Sequence, residues 1–410
     1  MKKFSKIINS CQFSKKRDLI KILSLGFLPG VNQMFKINSE KNSEIFFPTN
    51  LVYSPSSSLF QIDNIVDKEI LFPKSYPYTS STTKILRDNF RNLYEETNKL
   101  FKLKKEDLIV DIGSNDGNLL KRFKGCKVLG VTPERIGYKA IKDGIPTIIN
   151  YFNKYSVNNI KRKYGKAKII TATNVFAHID NIDELIKNIL KLMKSDGVFI
   201  SESHYFLTLI KTLQYDTIYH EHLRYYTVTS LKKILEKYGI RIIKVKKIST
   251  HGGSIRVYAT KNRSYSADKS LKKFLKEEKK SLTKKNLLHF KNKVIKSKIN
   301  LLKIIKNIKI NNKNIMAIGA PSRATTLINY VGINEDMIDC ICEIKGSHKI
   351  GHYLPGTRIP ILDEGIIFKR KPNYLLLLSW HISKDLIKSF RKKGYKGKFV
   401  VPLPYPKIIN

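Results

Sequence analysis

Acidic residues are few in this chain of 410 residues: 33 Asp and Glu stand against 77 Lys and Arg, and cysteine occurs four times. Cys11, Cys126, Cys340 and Cys342 include no C-x2-C pair of the zinc-knuckle kind and show no disulfide framework, which excludes a stapled secreted scaffold. No stretch approaches the ~20 apolar residues of a membrane span, and the basic start MKKFSKIINSCQFSKKRD lacks a signal peptide's apolar run. A reduced, cytoplasmic protein with no membrane partner is therefore expected. The shortage of acid leaves a net charge of +44, which ordinarily points to nucleic acid or another anionic surface. Here the lysines are spread along the chain beside abundant Ile and Asn, and the aromatic residues do not interleave with Lys or Arg as a stacking platform would. That is a lysine-rich background, so no nucleic-acid partner is expected, although the charge favours an anionic substrate.

Hydrophobic residues at 42% and charged residues at 27% are normal for a folded chain, and at roughly 150 residues per domain the length implies two or three domains. The first 85 residues or so are punctuated by Pro29-Gly30, Pro48 and Ser54-Pro55-Ser56-Ser57-Ser58, and read as a small loop-rich domain. From Lys105 strands and helices alternate: DLIVDI, a helix over Asn118 to Phe123, KVLGV, a helix near Tyr138, strands at 147–149 and 168–171, a helix from Ile182 to Met193, and a strand from Val198 to Ser201. Such alternation predicts an α/β fold with a doubly wound, mostly parallel sheet. A helix over Leu231 to Tyr238 and strands at 241–246 and 254–260 follow. Apolar residues at helical spacing, such as Leu271 with Phe274 and Leu287 with Phe290 and Val294, make 267–309 one or two connecting helices. A second βα pattern opens at NIMAIG and runs through MIDCICEI, YLLLLSW, SKDLIKSF and KFVVPLP. The expected units are residues 1–85, 86–262, a helical connector 263–310, and a C-terminal α/β domain 311–410.

Four stretches carry chemistry. Asp111-Ile112-Gly113-Ser114-Asn115-Asp116-Gly117 closes a strand and opens a helix, where glycines let a nucleotide approach the backbone. Its D-x-G-x-x-x-G spacing departs from the dinucleotide pattern, and Asp116 would repel a pyrophosphate. The loop suits a cationic, phosphate-free ligand such as S-adenosylmethionine (SAM); a plain glycine-rich turn without ligand is the alternative. Tyr219-His220-Glu221-His222-Leu223-Arg224-Tyr225-Tyr226 packs two imidazoles, a carboxylate and three phenols into eight residues without the spacing of H-E-x-x-H zinc sites. It offers either a general base with an oxyanion partner or structural packing. The turn His251-Gly252-Gly253-Ser254-Ile255-Arg256 adds amides and a cation for an anionic group, and Gly319-Ala320-Pro321-Ser322-Arg323 opens a helix where a pyrophosphate could sit, unless it is only a Rossmann turn. Trp380 lines a nucleotide cleft or packs in the core.

These residues resemble the SAM-dependent C-methyltransferases of deoxysugar biosynthesis, which act on nucleotide-linked 4-keto sugars. The matching stretches run in family order: YPYTSS (76–81), DIGSNDG, NVFAHIDN (174–181), ESHYF (202–206), YDTIYHEHLRYYT (215–227), HGGSIRVY (251–258), GAPSRATTLINY (319–330), PGTRIPI (355–361) and LLLSWHI (376–382). The resemblance implies an N-terminal zinc-binding-type domain, a class I methyltransferase domain and a C-terminal Rossmann-like domain, with a nucleotide sugar bound between them. It places the base and its helpers on His222, Glu221 and Tyr219, with Tyr76 and Tyr78 contributed by the N-terminal part. It places SAM against Asp111 to Gly117, Thr132, Glu134, Asn174, Phe176 and His178. The substrate falls to His204, His251, Ser254, Arg256, Ser322, Arg323 and Trp380.

Two departures qualify the match. The family's cysteine pairs fall on Ile8 with Cys11 and on Ser54 with Ser57, so a metal-free N-terminal domain is expected. The acidic residue that should grip the SAM ribose is replaced by Thr132, leaving Glu134 to substitute or affinity to fall. The expected reaction is methyl transfer to a ring carbon through an enolate; O- or N-methylation of another metabolite, or an inactive sugar-nucleotide binder, are the rivals.

Overall fold

The computed structural model describes residues 4–39, 44–71 and 84–410. The N-terminal segment holds β1 (Ser5–Ile7), β2 (Ile20–Pro29), β3 (Phe46–Ser54), β4 (Leu59–Ile62), β5 (Asn64–Val66) and α1 (Lys68–Leu71), and α2 (Lys84–Phe101) leads into the central domain. That domain continues with β6 (Leu108–Ile112), β7 (Lys127–Thr132), α3 (Gly137–Lys142), β8 (Thr147–Ile149), α4 (Lys154–Tyr164), β9 (Ala167–Thr173), α5 (Ile182–Leu192), β10 (Met193–His204), α6 (Phe206–Lys211), β11 (Arg224–Tyr225), α7 (Val228–Glu236), β12 (Arg241–Ile248) and β13 (Ser254–Thr260). Helices α8 (Lys269–Ser281) and α9 (Lys284–Ile310) connect it to the last unit. There β14 (Ile315–Ile318), α10 (Ser322–Val331), β15 (Ile341–Glu343), β16 (Ile361–Asp363), α11 (Ile366–Arg370), β17 (Tyr374–Leu377), α12 (Ser383–Lys392), β18 (Lys398–Val401) and β19 (Lys407–Ile409) follow.

The central sheet runs β12-β13-β10-β9-β6-β7-β8, with β8 to β10 parallel and β13 and β12 antiparallel to their neighbours. Every residue of β6 is buried, as a strand covered on both faces requires. The chain reverses direction of growth between β6 and β9, so the carboxyl ends of these two strands flank the crevice where such sheets take ligands. The C-terminal sheet, β16-β15-β14-β17-β18-β19, repeats the arrangement with its reversal between β14 and β17.

Two sequence expectations change. The N-terminal segment is an antiparallel sheet, because β2 and β3 alternate buried and exposed side chains along 10 and 9 residues and so present one face to a core. The stretch Asn118 to Phe123 forms only a 3-10 turn over Leu120–Arg122, ended by Gly125 at φ 87°.

Helix α9 buries Leu287, Phe290, Val294, Ser297, Leu301, Ile305 and Ile308 along one stripe, leaving its lysines on the solvent face. Each aliphatic side chain so removed from water contributes about 1.5–3 kcal/mol. The stripe joins the C-terminal sheet, the N-terminal strands and Leu209, Tyr215 and Ile218 of the central domain in one core, so the units are packed as a single body around the site. No helix among the described residues is long and apolar enough to cross a membrane.

Candidate active site

The crevice at the β6 and β9 ends opens into a cavity of about 1660 Å³ walled by all three units. One small-molecule site occupies roughly 300–1,000 Å³, so this volume suits two ligands. At its central-domain end Gly113 has φ 72°, and a Cβ there would lie 2.3 Å from Val175 Cγ2; only glycine fits. Asn115 is also left-handed, and its Nδ2 donates to Glu134 Oε2 at 3.0 Å. Glu134 thus lines the cavity beside Thr132, its carboxyl raised by burial against that hydrogen bond. Asp111 is buried and pushed up to about 7, by desolvation and then by the nearby Glu202, although Thr171 Oγ1 donates to it at 2.6 Å. Ser114 Oγ, Asn174 Oδ1 and Ser203 Oγ line the same wall, buried and without a hydrogen-bond partner among the described residues. A buried polar atom left unpaired costs about 1–3 kcal/mol, so this wall fits a ligand rich in hydroxyl and amino groups. Its acidic lining favours a cation and disfavours phosphate.

At the other end lies the loop between a 3-10 turn, Tyr215–Thr217, and β11. His222 Nδ1 sits 2.9 Å from the Thr217 carbonyl, which can only accept, so the proton belongs on Nδ1 and the lone pair on Nε2. The Tyr219 ring is 4.2 Å from the imidazole, and His178 and His204 lie 4.9 and 5.0 Å away; His251 follows His204 at 5.5 Å. Burial first, then the neighbouring imidazoles, hold His222 and His204 well below the ordinary histidine range, and burial lowers His178 and His251 to about 4. All four rings are neutral at pH 7. Burial and the Glu221 charge push the Tyr219 phenol well above its usual value, keeping it a proton donor.

Comparison with known proteins fits this geometry. A family model for the C-methyltransferase C-terminal domain matches residues 249–404, a methyltransferase domain model matches 85–245, and a third, named for zinc binding, matches 11–72. C-methyltransferase NovU of Streptomyces niveus is 28% identical over 412 residues, covering 98% of this chain and 97% of its own. The chain belongs to the SAM-dependent C-methyltransferases. Among solved structures, the plantazolicin methyltransferase BpumL with SAH is 13% identical, covering 44% of this chain and 87% of its own at a TM-score of 0.35. Magnesium protoporphyrin IX methyltransferase from Synechocystis, with SAM, is 14% identical over 42% and 78%, at 0.32. The strand order of the central sheet and the methyltransferase model over 85–245 make it the class I methyltransferase fold, and the wall from Asp111 to Glu134 with Asn174 has the donors and acceptors to hold SAM.

Within this C-methyltransferase the expected site residues divide. Asp111, Gly113, Ser114, Asn115, Thr132, Glu134, Asn174, His178, His204, Tyr219, Glu221, His222, His251, Ser322 and Arg323 all line the one cavity. Asp116 is buried behind the loop, and Gly117, at φ 72°, packs on Ala140 and Ile145. Phe176 stacks on Tyr226, and Ser254 Oγ donates to Thr250 O, so neither reaches the cavity. Tyr76 and Tyr78 lie outside the described residues.

Three cations and rings have other work than expected. Arg256 is wholly buried: Nε donates to Glu202 Oε1 at 2.6 Å, Nη1 to Glu96 Oε2 at 3.0 Å and Nη2 to Asn89 Oδ1 at 3.0 Å. It staples α2 to the central sheet and is not presented to an anion. Arg323 grips Asp216 through Nε and Nη2, both at 2.9 Å, lies 4.9 Å over the Trp380 ring, and donates to Gln214 Oε1 and His381 Nδ1. Trp380 Nε1 donates to the same Asp216 at 2.7 Å. Arg323 and Trp380 therefore clamp the C-terminal unit to the central one. Sequence reasoning missed Asp216, Gln214, His381 and Lys349; the last lies on the cavity wall with Nζ donating to Ala320 O. Single polar residues in unpatterned loops carry no spacing signal, which is why they were not legible. His220, read as a candidate for proton chemistry, instead anchors the loop to the N-terminal sheet, with Nε2 3.1 Å from Thr49 Oγ1.

The expected zinc ligand positions Cys11, Ser54 and Ser57 do converge. Cys11 Sγ is 3.1 Å from Ser57 Oγ, which donates to Ser54 Oγ at 3.0 Å; Ser54 in turn donates to Asp18 at 2.8 Å. One thiol and neutral hydroxyls do not fit tetrahedral zinc, which takes thiolate, imidazole or carboxylate. Among the described residues no group of three or more His, Cys, Asp or Glu is placed to hold a metal.

Proposed function

We propose that this C-methyltransferase acts on a nucleotide-linked 4-keto deoxysugar, methylating a ring carbon next to the ketone through an enolate. The observation that carries the reading is the tautomer of His222: with Nδ1 committed to Thr217, its bare Nε2 is the base on the wall shared by both halves of the cavity. A carbon acceptor must be made nucleophilic, and a C–H bond beside a ketone is one that an imidazole can open.

His222 Nε2 accepts the proton, the C–H electron pair passes into the enolate, and Tyr219 donates a hydrogen bond to the developing oxyanion. Glu221 balances the imidazolium that forms. SAM supplies the electrophilic methyl group when bound, and Glu134, with Asn115 behind it, is placed to accept from its ribose hydroxyls. Lys349, on the cavity wall, supplies positive charge for an anionic substrate.

Incubation with methyl-labelled SAM and the thymidine and uridine diphosphate derivatives of 4-keto-6-deoxyglucose, followed by mass spectrometry and carbon NMR, tests the reading. A new C–CH3 signal beside the ketone, lost in His222→Ala, is the expected result. Absence of methylated product across the panel, or full turnover by His222→Ala, would sink it.

A further inference from the structure

Glu221 belongs to the central domain, but its carboxylate is reached from the N-terminal one. Asn32, from the turn after β2, donates through Nδ2 to Glu221 Oε1 at 2.7 Å. Its other end, Oδ1, accepts from Ser322 Oγ at 3.0 Å, at the start of α10 in the C-terminal unit. Beside this bond Thr325 Oγ1 donates to the carbonyl of Val31 at 3.2 Å, fixing the backbone that carries Asn32. The polarity of the chain is set by chemistry: an ionised carboxylate only accepts, so the amide nitrogen must face Glu221 and its oxygen must face the serine hydroxyl. Three domains thus meet in one line of hydrogen bonds, Ser322 to Asn32 to Glu221.

We infer that Asn32 is a positioning residue of the methyl-transfer site: the N-terminal domain orients the Glu221 carboxylate, and the C-terminal domain, through Ser322, orients Asn32. The inference rests on the role given to Glu221 above. It explains how an N-terminal domain whose Cys11, Ser54 and Ser57 do not fit zinc still takes part in chemistry, since what it delivers to the site is one amide. A displacement of about 1 Å at a catalytic group costs on the order of 100-fold in rate, so a single missing hydrogen bond is enough to register.

The order of two variants separates positioning from packing. Asn32→Asp keeps the shape of the side chain but sets a second carboxylate against Glu221, whereas Asn32→Ala removes the contact. If Asn32 positions Glu221, kcat falls about 10- to 100-fold in Asn32→Ala and further in Asn32→Asp, with KM for SAM within twofold of the parent. Ser322→Ala gives a smaller loss in the same parameter. A packing role would reverse the order, the isosteric Asp being the milder change, and that reversal, or kcat within twofold of the parent in Asn32→Asp, overturns the inference. Glu221→Gln is measured beside them on whichever 4-keto nucleotide sugar of the panel is turned over. If Glu221→Gln is inactive and Asn32→Asp is normal, the inference alone fails; if Glu221→Gln is fully active, the role of Glu221 fails with it. Calorimetric SAM binding by each variant establishes that the protein tested is folded.

Discussion

The molecule contains the same local pattern twice, and uses it in two ways. After β6 and after β14 a short buried strand runs into a left-handed glycine, Gly113 at φ 72° and Gly319 at φ 82°. The first turn faces the cavity, and among the described residues Ser114 Oγ, Asn174 Oδ1 and Ser203 Oγ there have no hydrogen-bond partner. The second is satisfied from within: Ala320 N donates to Glu343 at 2.6 Å, Ala320 O accepts from Lys349, and Arg323 closes on Asp216. Strand, glycine and helix announce only that a ligand can approach. The state of the polar groups decides whether a turn receives a ligand or a neighbouring domain.

The largest expected effect comes from breaking the second turn. Asp216→Ala strands the Arg323 guanidinium in a buried interface, and removing one partner of such a pair costs about 3–5 kcal/mol. Chemical denaturation should show that loss; a change below 1 kcal/mol would mean the clamp is not what docks the C-terminal unit. Next in size is Gly113→Ala, where the new Cβ meets Val175 in a left-handed backbone. The strain of about 1–3 kcal/mol falls on the SAM wall, so affinity drops roughly 10-fold or more by calorimetry. Gly319→Ala, whose Cβ would lie 2.6 Å from Ser379 Oγ, should cost stability and leave SAM affinity alone. Equal effects of the two alanines on SAM binding would erase the distinction between the turns.

A pH-dependent effect sharpens the first turn. Asp111 is raised from 3.8 to about 7, so the stability of its neutral form is fully present below the lower value and is lost as pH rises towards the upper one. Asparagine never ionises. The melting temperature of Asp111→Asn should therefore gain on the parent between these limits and hold a constant lead above them. Parallel melting curves across that range would show that Asp111 ionises freely in the fold.

How much of this was open to sequence reasoning follows from which physical signals are periodic. Strands at 147–149 and 254–260 coincide with β8 and β13, and the stripe through Leu287, Phe290 and Val294 does face the core, because burial repeats with the period of the element. The N-terminal sheet was hidden by Pro29, Pro48 and the serine tract, which sit at strand ends, inside β3 and in the turn before β4, and mimic loop chemistry. In the site, His222 and the Asp111 loop stood out through local density of polar residues. The carboxylate partners of Arg256 and Arg323 were hidden for the opposite reason. A guanidinium beside a turn looks available until its carboxylate is found, and Glu202 and Asp216 lie 54 and 107 residues away along the chain. Asn32 had no such signal at all.

Strand β11 carries a consequence for how these enzymes can be recombined. Only two residues long, it leaves the loop that carries His222 and pairs with β4, Arg224 opposite Gln61 and Tyr225 opposite Phe60. The N-terminal sheet is therefore completed by a strand encoded more than 150 residues later. A chimera that exchanges the N-terminal domain between relatives at a single junction would separate the sheet from its last strand and from the loop that strand holds in register. The unit of exchange is discontinuous: the first domain and the segment from Tyr215 to Thr227 must travel together.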